Sequence, residues 1–285
     1  MKIAVTGGAG YIGREFIKEY SDQYSIISLS RSKQDNAVQT DYSCQHLTEA
    51  LAGCDAIVHL ASQKATKDNE ANGLTAYFDS IRILEETLKA AKELGIKNVI
   101  FTSSRCVYGT FTDTKFTETD YLEPINYYGI CKIACEKLCE YYNQRFDMNI
   151  KVLRLGQVIG SDMNDKSLFN TFLHNAQSNL PLTIMGCDIR DYIYIKDVCR
   201  AIQCSIEHPE CKGIYNISSG IGIDNQMIAK DMIAYFSSSS EIEIKEPTFH
   251  KKPDRIILDM TKAATELEFQ CACPTVNDML KDIFS

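Results

Sequence analysis

Apolar residues in this chain gather in short, nearly continuous runs rich in branched side chains: "KIAVTG" from Lys2, "YSIISLS" from Tyr24, "DAIVHLAS" from Asp55, "KNVIFTSS" from Lys97 and "NIKVLRLG" from Asn149. Such runs predict strands buried on both faces. The stretches between them are long enough for helices. "AYFDSIRILEETLKAAKELG" sets Ile81, Leu84, Leu88 and Ala91 on one helical stripe and stops at Gly95. A further helix is expected over 126–146. Strands alternating with helices in this way predict an α/β architecture, a doubly wound parallel sheet with crossover helices.

Past residue 161 the alternation loosens into shorter pieces. A helix is expected at 168–177, then the runs "PLTIMG", "RDYIYI", "GIYNIS" and "EIEIK", and a last helix at 276–284. "SSSS" at Ser237 to Ser240 reads as a loop. The pattern divides the chain into a cofactor-binding domain, 1–160, and a smaller α/β substrate lobe, 161–285, interleaved with the first.

Composition narrows the partners. The chain has 285 residues, 45% hydrophobic and 24% charged, with a net charge of -8 and no block of like charge. Nucleic acid is therefore not an expected partner, and an anionic ligand must be held by local donors. The N-terminal apolar run breaks at glycines, and no stretch approaches the ~18 apolar residues of a membrane span. A cytoplasmic protein with no membrane partner is expected. The twelve cysteines are scattered, without paired CxxC motifs or histidines at zinc spacing, so no metal site is expected.

"VTGGAGYIGREF" follows the first predicted strand and opens a helix. Gly8, Gly10 and Gly13 fit G-x-G-x-x-G, and Gly7, Gly10 and Gly13 fit G-x-x-G-x-x-G. Glycines there let backbone N–H groups approach a pyrophosphate at a helix N-terminus, where the macrodipole favours an anion. An acid about 20 residues on would take the ribose hydroxyls of NAD, whereas an arginine nearby accommodates the extra phosphate of NADP. The second predicted strand ends "SLSRS", with Ser30 at the acid's place and Arg31 beside it. A serine and an arginine accept a 2′-phosphate that a carboxylate would repel. The expected cofactor is NADP(H); NAD is the alternative if Arg31 is a plain surface residue.

"NYYGICK" sets Tyr128 and Lys132 four apart, on one face of the predicted helix. A tyrosine near pKa ~10 exchanges protons poorly at neutral pH, but a neighbouring ammonium and an oxidised nicotinamide stabilise its phenolate. Tyr128 is therefore the candidate general acid/base. Ser104 ends the strand before that helix, at the carboxyl edge of the sheet, where it can share the proton of a bound carbonyl.

Together these motifs resemble the extended short-chain dehydrogenases/reductases, in the NAD(P)-dependent nucleotide-sugar epimerase/dehydratase family. "TGGAGYIG", "DAIVHLAS", "TSSRCVYG", "YYGICK" and "RDYIYIKDV" stand in the family's order along nearly the whole chain. The resemblance implies a Rossmann-type fold, a nucleotide-sugar substrate and a catalytic set of Ser104, Tyr128 and Lys132. It also implies cofactor contacts from Gly7, Gly10, Tyr11, Ile12, Gly13, Ser30, Arg31, Asp41, Leu60, Ala61 and Ser62. Arg190, of "RDY", and Lys252, of "KKPDR", would meet the substrate diphosphate, and a homodimer through the Tyr128 helix would fit the family.

Departures from the family pattern shape the reaction. Gln157, Ile159 and Ser161 stand where relatives often read Asn, Tyr and Pro, so Gln157 takes the place of a substrate-side asparagine. Family dehydratases resemble one another in an Asp-Glu pair directly after the catalytic hydroxyl. Here Arg105 and Cys106 follow instead, which argues against dehydration. Cys106 coincides with a cysteine that works as acid/base in one epimerase/reductase of the family, yet it lacks that enzyme's companion histidine; a chemical role and a pocket-lining role both stand. Three functions follow: an NADPH-dependent sugar-nucleotide 4-ketoreductase, a 4-epimerase retaining NAD, and a cofactor sensor without turnover. The intact Ser104, Tyr128 and Lys132 set disfavours the sensor.

Overall fold

The computed structural model of the chain describes residues 1–33, 36–110, 113–160, 167–245 and 254–285. Its central sheet has seven strands: β1 (Lys2–Thr6), β2 (Ser25–Ser30), β3 (Ala37–Gln39), β4 (Ala56–His59), β5 (Asn98–Ser104), β6 (Asn149–Leu155) and, after three strands elsewhere, β10 (Gly213–Ile217). Their spatial order is β3-β2-β1-β4-β5-β6-β10, and the pairings are parallel throughout. The chain winds outward from β1 through β2 and β3, then restarts at β4 on the other side. That reversal opens a crevice at the carboxyl ends of β1 and β4, the ligand position of open α/β sheets.

Crossovers cover both faces of the sheet. On one face α2 (Cys44–Leu51), α4 (Phe78–Glu93) and α5 (Tyr127–Arg145) pack with Leu47, Leu51, Leu84, Leu88, Cys131, Cys135 and Cys139 against Ile57, Val99 and Val152. On the other face α1 (Tyr11–Tyr20) and α7 (Ile195–Glu207) close over Val5, Val58, Ile100 and Leu153. The middle strands are buried almost end to end, which is why their sequences run apolar without alternating. The stripe of α4 sits slightly off the expected one. Ile83 joins Leu84, Thr87, Leu88 and Ala91 in the core, and Ile81 is only half-buried.

The second half builds a smaller sheet beside the crevice. β9 (Ile189–Tyr194) lies between β11 (Gly222–Asp224) and β13 (Arg255–Ile256), and β7 (Gln157–Ile159) also pairs with it. A third core joins β7, β9 and β11 to α6 (Leu168–Gln177), α8 (Asn225–Phe236) and α10 (Val276–Phe284), with β8 (Leu182–Met185) paired to β12 (Ile242–Lys245). β10 then returns to the first sheet beside β6. Among the described residues, no helix is long and apolar enough to cross a membrane.

Candidate active site

The turn after β1 is built for close approach. Gly7 has a positive φ of 69°, and a Cβ there would lie within 2.9 Å of the Leu60–Ala61 backbone at the end of β4. Behind it, the Tyr42 hydroxyl accepts the Gly7 N–H at 3.2 Å and donates to the Leu29 carbonyl at 3.1 Å, fixing the loop from below. Helix α1 opens at Gly10 with no side-chain cap and no acid in its first turn. Its first N–H groups and the dipole are thus left for an anion. A cleft of about 280 Å³ lies over this turn, lined by Gly7, Gly10, Tyr11, Ile12, Gly13, Leu60 and Ser62 on one side and by Ser104, Tyr128 and Lys132 on the other. Its glycine floor and uncapped helix end suit a dinucleotide pyrophosphate.

Ser104, Tyr128 and Lys132 meet in this cleft because α5 comes unusually near the end of β5. A Cβ on Gly129 would fall 2.3 Å from the Cys106 carbonyl, so only glycine lets the helix descend there. Ser104 ends β5, accepts the Cys106 N–H at 3.2 Å and lines the cleft together with Tyr128. Lys132 is buried and donates to the Thr102 carbonyl at 2.8 Å, with its ammonium 5.5 Å from the Tyr128 ring centre. Burial, then the Cys106 and Cys131 thiols, push the Tyr128 phenol well above its ordinary range, and nearby Ser104 only partly offsets this. Burial likewise lowers the Lys132 ammonium. The protein's own groups therefore keep Tyr128 protonated, with desolvation the dominant influence. His59 lies buried in the same region, its pKa pushed down to about 3 by burial and by Lys132. It stays neutral.

One acid invisible to motif reading holds this arrangement. Glu70, on α3 (Lys67–Ala71), accepts the N–H groups of Tyr127 and Tyr128 at 3.0 and 3.1 Å and the Tyr77 hydroxyl at 2.6 Å. Asn126 takes the Gly129 N–H at 2.7 Å, so the orphan donors of the α5 first turn are satisfied by two separate segments. Burial raises the Glu70 carboxyl, but the three donors together outweigh it and hold the group below its usual value. Glu70→Ala is expected to lower stability by about 1–2 kcal/mol. Thermal denaturation measures this, and hydrogen exchange should quicken at the Tyr127 and Tyr128 amides. Unchanged exchange there would show that Glu70 does not hold the turn.

Cationic side chains converge at the mouth toward the second sheet. Arg105, in the turn after Ser104, donates to the Gln157 amide oxygen at 2.8 Å. Burial, offset by the Cys106 thiol and reinforced by Arg190, lowers its pKa. Arg190, on β9, donates to Asp188 at 2.8 Å and stands 3.8 Å from Asp254. Its neighbour Asp191 is fully buried and accepts from Ser219 N and Oγ, Gly220 N and Leu258 N. Asp191 thus ties the loop after β10 to the segment after β13. Cys106 is half-buried near Tyr128. Lys252 and Ser161 lie outside the described residues.

Ser30 and Arg31 lie at the far end of the crevice, where a second cavity is lined by Gly7, Ser30, Arg31, Tyr42, Ala61, Ser62, Asp79 and Ser80. A neighbouring open cavity adds Gln39, Thr40, Asp41, His46 and Arg82. Arg31 is ion-paired to Asp79 of α4. Asp41 pairs with His46 at 2.9 Å and accepts the Ser43 N–H. The structure thus brings the cofactor candidates to one continuous crevice, with Ser104, Tyr128 and Lys132 at one end and Arg31 at the other. Neither Asp79 nor Arg82 carries a motif, and only their spacing on a helix starting near the crevice could have drawn attention to them.

The parallel sheet, glycine turn and tyrosine–lysine pair define a dinucleotide-binding enzyme fold of the short-chain dehydrogenase/reductase type. The NAD dependent epimerase/dehydratase family matches residues 3–218, and the chain belongs to that family. It is 26% identical to a dTDP-4-dehydro-6-deoxyglucose reductase of Escherichia coli, over 96% of this chain and 93% of that protein. It is 27% identical to the low-salt glycan biosynthesis protein Agl12 of Haloferax volcanii, over 92% of this chain and 91% of that protein. Among solved structures, the UDP-N-acetylglucosamine 4-epimerase of Bacillus cereus superposes with a TM-score of 0.90 at 25% identity, covering 99% of this chain and 95% of that one.

Proposed function

We propose that this protein is an NADPH-dependent reductase of a nucleotide-linked keto sugar, most simply a 4-keto-6-deoxy hexose. Residues 1–160 serve as the dinucleotide-binding part, and 161–285 as the lobe that closes over the sugar nucleotide. The observation that carries the direction of the reaction is Arg31 at the adenosine end of the crevice, with Ser30 in place of an acid. A net reductase draws on the cellular pool of reduced NADP, whereas an epimerase recycles one bound cofactor; that link from cofactor to direction is an analogy within the family. The Escherichia coli reductase supports the same reading.

When bound, the nicotinamide supplies hydride to the keto carbon. Tyr128 donates its proton to the keto oxygen, and Ser104 hydrogen-bonds that oxygen and fixes its position. Lys132 orients the cofactor ribose and restores charge balance beside the phenol. Arg105 and Arg190 hold the diphosphate of the substrate at the mouth, with Gln157 steering Arg105. Arg105 and Cys106 occupy the two positions after Ser104, so the acid and base needed to expel water from a sugar are missing there.

A second reading, a 4-epimerase retaining NAD, is favoured by the Asp79 carboxylate on Arg31 and by the Bacillus cereus 4-epimerase. Purified protein should oxidise NADPH faster than NADH with one of the dTDP-, CDP-, GDP- or UDP-linked 4-keto-6-deoxy sugars. No oxidation with any of them, together with tightly bound NAD released on denaturation, would establish the epimerase instead.

A further inference from the structure

Asp79, a side chain that no motif marks, pairs with two arginines beside the Ser30–Arg31 end of the crevice. Asp79 opens α4, where a first-turn acid suits the helix dipole. Its Oδ1 accepts from Arg82 Nε at 2.9 Å and Nη2 at 2.7 Å. An acid and an arginine three apart are ordinary helix-surface chemistry. The third member is not: Arg31, arriving from the end of β2, donates to the other oxygen of the same carboxylate. One carboxylate therefore joins two guanidinium groups from two different elements, at the rim shared by the two cavities of the adenosine end.

Two arginines converging on one anion form the donor set that a phosphate dianion would take. Asp79 fills that set from within. The pairs are partly exposed, with side-chain exposures of 48% for Arg31, 33% for Asp79 and 47% for Arg82, so an incoming anion can displace the carboxylate. A ribose that carries a free 2′-hydroxyl meets the opposite situation. Asp79 can accept that hydroxyl, supplying through space the acid that Ser30 does not provide.

We propose that Asp79 is the specificity-determining residue for the dinucleotide, holding Arg31 and Arg82 and thereby setting how strongly a 2′-phosphate is preferred over a free 2′-hydroxyl. Arg82 is the second arm of the 2′-phosphate site. The inference rests on the reading above that the crevice holds a nicotinamide dinucleotide with its adenosine end at Arg31.

Titration calorimetry of the full chain with 2′,5′-ADP, which carries the 2′-phosphate, and with 5′-AMP, which does not, tests it without any sugar substrate. Asp79→Asn should tighten 2′,5′-ADP by about tenfold and leave 5′-AMP unchanged or weaker. Asp79→Ala frees the same two arginines and should do likewise, which guards against a local effect of the asparagine. Arg82→Ala should weaken 2′,5′-ADP by about tenfold and spare 5′-AMP. If both compounds bind the wild type and neither Asp79 variant shifts their ratio, the role of Asp79 is overturned while the dinucleotide site stands. Equal losses of both compounds in Arg82→Ala would overturn the role of Arg82. If neither compound binds any of the proteins, the reading of the crevice fails, and the inference fails with it.

Discussion

Tyr128→Phe is expected to cut turnover by about 10² to 10⁴-fold while changing cofactor affinity by no more than a few fold. The substitution removes one oxygen and keeps the ring, which packs 6.0 Å from Tyr77. The backbone bonds from Tyr127 and Tyr128 to Glu70 are untouched, so the fold should not register the change. The missing hydroxyl is the proposed proton donor, in the same cleft as Ser104. Lys132 is aimed at the Thr102 carbonyl, and His59 is kept neutral behind it. Because burial raises the phenol, the donor form prevails at neutral pH, which suits the proposed reductive direction. The measurement is kcat against KM on the substrate found by the oxidation assay, beside cofactor binding by fluorescence. Full turnover in Tyr128→Phe would move the proton donor elsewhere and revive a role for Cys106.

What the sequence disclosed about this site followed the chain, and what it hid runs across it. The glycine turn, the Ser104 strand end and the Tyr128–Lys132 pair are each local patterns, legible because four residues of helix or one strand end fix their geometry. The long buried strands were equally legible, since a strand covered on both faces must be apolar throughout. The short ones were not: β3, β7, β11 and β13 have two or three residues each, too few for any period to register. Directly after the predicted strand "NIKVLRLG" the chain changes sheets at Gly156, where a Cβ would strike the Ser218 hydroxyl, so β6 and β7 belong to different sheets. Glu70 and Asp79 act on elements 57 and 48 residues away. Arg31 could be seen beside Ser30; the carboxylate that balances it could not.

The same long-range logic gives the largest expected effect on stability. Glu136 and Arg154 form a buried ion pair at 2.7 Å, each side chain 2% exposed. Glu136 stands one helical turn beyond Lys132 and accepts the hydroxyl of Ser103, the neighbour of Ser104. Arg154 also donates to the Tyr108 hydroxyl, which in turn donates to Asn216 on β10. The network therefore clamps α5, β5, β6 and β10 directly behind Ser104, Tyr128 and Lys132. Removing one partner leaves an uncompensated charge in the core, so Arg154→Met should cost about 3–5 kcal/mol. Against a total of about 5–15 kcal/mol for a typical domain, that threatens the fold itself. Glu136→Gln, which strands the guanidinium, should be similarly severe. The double variant Glu136→Leu with Arg154→Met removes both charges and should be more stable than Arg154→Met alone, because desolvation of the unpaired group is the dominant loss. Urea denaturation of the three variants decides this. If the double variant unfolds as early as the worse single one, the cost lies in the lost hydrogen bonds to Ser103 and Tyr108. The clamp then holds the trio through those neutral partners, with the ion pair contributing little.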